Sequence, residues 1–66
     1  MDIQTLIKTT QIELDTKRNH FNNIYDDELA EIIIKEIAVL EEKLNYYYKL
    51  AKNQNEKLRA ISAMVL

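Results

Sequence analysis

Apolar residues recur along this chain at alternating intervals of four and three positions, and the recurrence breaks once. The first run holds Ile3, Ile7, Leu14, Phe21 and Ile24, with Thr10 and Lys17 at the two remaining positions of the same spacing. The second holds Ala30, Ile33, Ile37, Leu40, Leu44, Tyr47 and Ala51, then passes through Gln54 to Leu58, Ile61 and Val65. Such a repeat keeps one stripe of a helix turned toward one partner. It predicts an all-α fold, an antiparallel two-helix hairpin with a longer second helix. The helices are placed at 2–22 and 27–60, the turn at 23–26, and a tail free to fray at 61–66, all in a single domain over 1–66. The predicted hairpin core is Ile7, Leu14, Phe21 and Ile24 against Ile33, Ile37, Leu40, Leu44 and Tyr47.

The break lies in FNNIYDDEL, and the whole chain contains neither glycine nor proline. Asn22 and Asn23 enter left-handed backbone geometry more readily than most non-glycine residues, so they are expected to end the first helix. Asp26 is the expected cap of the second, its carboxylate accepting from free amides, with Asp27 and Glu28 suited to the positive first turn. Along the second helix, Glu31 and Lys35 are spaced to pair across one turn.

The run IIIKEI then needs an explanation. Ile33 and Ile37 belong to the seam, but Leu29, Ile32 and Val39 lie to one side of it and Ile34 and Ala38 to the other. Tyr46 and Tyr48 flank Tyr47 in the same way. A helix apolar around most of its circumference is usually buried on more than one side. One short helix cannot cover it, so Leu29, Ile32, Ile34, Val39, Tyr46 and Tyr48 are read as an interface. At 66 residues the chain is also near the lower limit for burying enough surface to fold alone. Self-association follows as the expectation, a dimer first and in the form of a four-helix bundle, with an unidentified protein partner as the other occupant.

Charge adds direction to that surface. Residues 1–42 carry ten acids and four bases, whereas residues 43–66 carry one acid and five bases. The gradient suits head-to-tail pairing, and the basic end is too sparse for a nucleic-acid stripe. The start MDIQTLIKTT lacks the basic and apolar regions of a secretion signal, and the longest uncharged run, AISAMVL, is far short of a membrane span. The expectation is a cytoplasmic protein without a membrane partner.

Candidate chemistry is thin. Cysteine is absent, and the single histidine, His20, stands beside the turn without metal-ligand spacing. Glu28, Glu31, Glu36, Glu41 and Glu42 scatter over several faces of the second helix, as a solvated surface does. No catalytic residue, metal site or cofactor is expected, and the chain is read as non-enzymatic.

One block supports a resemblance. Phe21, Asn22, Asp26, Glu28, Leu29, Glu31, Glu36, Ile37, Glu42, Tyr46, Ala51 and Lys52 match in register the pattern of the YaaL-like family of short, uncharacterised bacterial proteins. The pattern often has a small cap and a proline where this chain has Tyr25 and Asp27, and the tail QNEKLRAISAMVL does not match. The resemblance implies a small cytoplasmic protein with no known activity. A second resemblance is to small sporulation phosphatases marked by Ser-Gln-Glu-Leu-Asp. Here Gln11-Ile12-Glu13-Leu14-Asp15 stands on the first helix without the serine. It implies an aspartyl-phosphate phosphatase in which Glu13 or Asp15 presents water. A third alternative makes Tyr46 to Arg59 a weak nucleic-acid contact.

Overall fold

The computed structural model describes the backbone of residues 2–65 and the side chains of residues 2–54. Two helices pack against one another, α1 (Ile3–Asn22) and α2 (Asp27–Val65), with no strand among the described residues. The helical hairpin expected from the spacing is the observed fold. α2 is helical through Val65, with no glycine or proline in the sequence to provide a stop.

The stripe is buried from both sides. Ile7, Thr10 and Leu14 of α1 and Ile33 and Leu40 of α2 are buried, and Ile33 retains only 2% of its surface. Ile3, Lys17, Phe21 and Ile24, with Ala30, Ile37, Leu44, Tyr47 and Ala51, are half-buried along the same line. Gln54 is exposed, so cover by α1 ends near Ala51.

Both polar positions of the α1 stripe find partners. The Thr10 hydroxyl donates to the Leu6 carbonyl at 2.8 Å, a bond to the preceding turn that removes the cost of an unpaired buried group. Lys17 sends its ammonium out of the stripe to the Glu36 carboxylate on α2. The apolar seam is thereby continuous although its sequence is not.

The turn departs from expectation. No described residue has positive φ, and Asn23 sits at φ −111°, ψ 8°. α1 ends by tightening instead: the amides of Asn23 and Ile24 donate to the carbonyls of His20 and Phe21, three residues back, at 3.0 and 3.4 Å. The Asn23 side chain donates to the Asn19 carbonyl at 2.8 Å. Side-chain amide and tightened turn satisfy the carbonyls of Asn19, His20 and Phe21 without a left-handed residue.

α2 starts at a cap. The Leu29 amide donates to Asp26 Oδ1 at 3.0 Å and the Ala30 amide to the Asp26 carbonyl at 2.9 Å. α1 begins in the same manner, with the Gln4 amide donating to Asp2 Oδ1 at 3.2 Å. The expected pairing of Glu31 with Lys35 is not formed. Among the described residues the ion pairs run between helices, Lys17 to Glu36 and Arg18 to Glu41. An exposed one-turn pair contributes only a few tenths of a kcal/mol, too little to hold two long side chains together.

Unequal lengths set the shape. At about 1.5 Å per residue, the 20 residues of α1 span roughly 30 Å and the 39 of α2 nearly twice that. The molecule measures 60 × 16 × 15 Å, and its radius of gyration of 17.0 Å compares with about 11 Å for a compact domain of this length. Replacing Asp26 by alanine should lower stability by about 1 kcal/mol in urea denaturation, whereas Asp26→Asn should stay near wild type, since both side chains cap well.

Candidate interaction surface

The two flanks of the hairpin are built differently. On one, polar side chains bridge the helices: Arg18 Nη2 donates to Glu41 Oε1 at 3.0 Å and Gln11 Nε2 to the Tyr48 hydroxyl at 2.6 Å. Tyr48 is therefore a clasp within the hairpin as well as a half-exposed ring. Ile34 and Ala38 lie beyond this flank, on the back of α2, and both are exposed.

The other flank is an open groove. Ile32, Val39 and Leu40 form its floor, Glu13 and Lys17 approach from α1, and Lys35, Glu36 and Lys43 stand along α2, around a volume of about 410 Å³. Ile32 is 52% exposed and Val39 51%, at positions where a singly packed helix would carry polar side chains. Leu29 and Tyr46 continue the exposed apolar line at either end. Tyr46 also leans on half-buried Tyr47, with ring centres 6.1 Å apart and planes tilted by 52°.

These residues follow a second repeat beside the seam. Leu29, Ile32, Glu36, Val39, Lys43, Tyr46 and Leu50 alternate in steps of three and four. The residues chosen from sequence as an interface thus divide: Leu29, Ile32, Val39 and Tyr46 share one stripe, while Ile34 and Tyr48 belong to the opposite side. Glu13, Lys17, Lys35, Glu36 and Lys43 were not among the residues chosen. The signal for two of them, Glu36 and Lys43, was present in the spacing, where their charge concealed it. Two further apolar exposures stand apart, Ile12 on the back of α1 and Tyr25, fully exposed in the turn.

The remaining expected residues are dispersed. His20 is exposed in the last turn of α1. Glu13 lines the groove, but Asp15, two positions on, leaves the helix on the other side, so the two carboxylates do not converge. No group of three or more histidine, aspartate or glutamate side chains among the described residues is placed to hold a metal ion. No described helix is long and apolar enough to cross a membrane. The segment suggested for nucleic acid, Tyr46 to Arg59, is described in its side chains only as far as Gln54.

Seam and flank together define a small all-helical hairpin protein with one apolar flank left open. The chain matches over residues 2–58 the family described as a protein of unknown function, DUF2508, and belongs to it. The YaaL-like resemblance is consistent with that family. Searches of the curated proteins and of the solved structures gave no match.

The bridges of the closed flank are surface pairs, with Arg18 and Glu41 each about half exposed, 53% and 50%. Such pairs contribute at most about 1 kcal/mol. A double-mutant cycle of Arg18→Ala and Glu41→Ala should therefore give a coupling no larger than that, fading as salt is added. Leu14→Ala in the seam should cost about 2–5 kcal/mol in the same denaturation assay.

Proposed function

We propose that this protein acts without catalysis, as a small cytoplasmic interaction or adaptor module that self-associates through α2. Two hairpins join into a four-helix bundle. The observation that carries this reading is the half-exposed pair Ile32 and Val39, set beside a seam that is already complete without them.

The physical reasoning is direct. Apolar burial is the main favourable term in association, at about 25 cal/mol per Å² removed from water. Single exposed leucines need no explanation, but a line of them along one helix rimmed by charges marks a contact surface. Leu29, Ile32, Val39 and Tyr46 form such a line, and Glu13, Lys35 and Lys43 form part of its rim. A four-helix bundle also supplies the larger core that a chain of this size lacks by itself. The acidic and basic halves of the sequence favour contacts in which opposite ends meet.

Sedimentation equilibrium over a wide concentration range should find a dimer. Ile32→Glu combined with Val39→Glu should weaken it on the order of a hundredfold or more, because two carboxylates would enter an apolar contact. Circular dichroism should show helicity falling on dilution together with the dimer, since the hairpin alone buries too little surface to hold its fold. A wild-type monomer at all concentrations, or a double variant with undiminished mass, would sink the proposal.

A further inference from the structure

We infer that the occupant of the open groove is α2 of a second copy of this chain, docked antiparallel about a two-fold axis that passes close to Val39. This rests on the self-association proposed above and adds to it a contact stripe and an orientation.

The orientation comes from the order of charges. Reading along α2, the stripe runs apolar at Leu29 and Ile32, acidic at Glu36, apolar at Val39, basic at Lys43, and apolar again at Tyr46 and Leu50. Ile32 and Tyr46 are equally far from Val39, and the midpoint of Glu36 and Lys43, like that of Leu29 and Leu50, falls just past it. Turning a second α2 end over end about that point sets Glu36 of each copy level with Lys43 of the other. Apolar residues meet apolar residues in the same operation.

Parallel packing does the opposite. It stacks Glu36 on Glu36 and Lys43 on Lys43, two like-charge contacts in the middle of an apolar stripe, each costing free energy that the antiparallel arrangement converts to attraction. The outer edge repeats the pattern with signs exchanged. Lys35 and Glu42, both exposed, are centred just before Val39, so the flipped copy also brings Lys35 to Glu42. A two-fold contact requires a surface complementary to itself, and this one is.

Glu36 can serve both contacts, since Lys17 engages one carboxylate oxygen, Oε2, and leaves the other.

Directed cross-linking tests this, and the absence of cysteine from the chain makes every disulfide assignable. Leu29→Cys and Leu50→Cys chains, mixed in equal amounts and oxidised, should give the mixed L29C to L50C dimer in several-fold excess over both homodimers. Sedimentation equilibrium of the reduced mixture and its circular dichroism establish assembly and fold beforehand. Homodimeric disulfides in excess would overturn the antiparallel arrangement while leaving self-association intact. A dimer that forms no disulfide would overturn the stripe, and a monomer throughout would overturn both proposals. Lys43→Glu gives a readout free of engineered thiols. It should weaken an antiparallel dimer about tenfold or more, since Glu36 would then meet a carboxylate. An unchanged dissociation constant would overturn the antiparallel contact.

Discussion

A helix of 39 residues cannot be covered along its length by one of 20, and even where the two overlap one helix covers only a single stripe of the other. Two packed helices share a single seam, and the seam uses one stripe of each. α1 therefore covers the stripe through Ile33 and Leu40 and stops near Ala51. The residues on either side of the covered stripe are left to be closed by polar bridges or by another chain. On the flank of Arg18 and Gln11 the bridges are present. On the flank of Ile32 and Val39 the Lys17–Glu36 pair spans the helices but leaves a groove with an apolar floor open beside it.

The seam depends on how its polar interruptions are handled. Thr10 is buried with its hydroxyl bonded to its own helix, so it stays in the stripe without an unpaired group. Lys17 cannot do this, because its charge is carried on a long stem and is costly to bury. Its stem crosses the seam and its charge emerges at Glu36, on the edge of the open flank. One interruption is absorbed by the core and the other contributes to the rim of the groove. That difference follows from side-chain length and charge.

The turn shows a similar choice between solutions. Without glycine, a chain can leave a helix through a strained left-handed residue or by tightening the final turn and bonding the free carbonyls with a side chain. Asparagine is suited to both. Here Asn23 takes the second route, with its side chain on the Asn19 carbonyl and no positive φ. Residues 24–26, which belong to neither helix, then carry the chain across to the cap at Asp26. The cap was legible in the sequence because an aspartate just before an acidic first turn has one economical use. The route out of α1 was not, because two geometries satisfy the same carbonyls at similar cost.

By itself the sequence determined the all-helical hairpin, the seam and the excess of apolar surface on α2, because periodicity of three and four is local information that any helix must express. Ile33, Leu40 and Leu14 could be read directly from that period. The tertiary structure decided which flank is closed and which is open. Glu36 and Lys43 resemble ordinary surface charges when read along the chain, and Tyr48 resembles its neighbour Tyr46. Only the placement of α1 gives Tyr48 to Gln11, gives Glu36 to Lys17, and leaves Ile32 and Val39 uncovered. The period states that a residue lies beside the seam, but what stands opposite it depends on the partner helix.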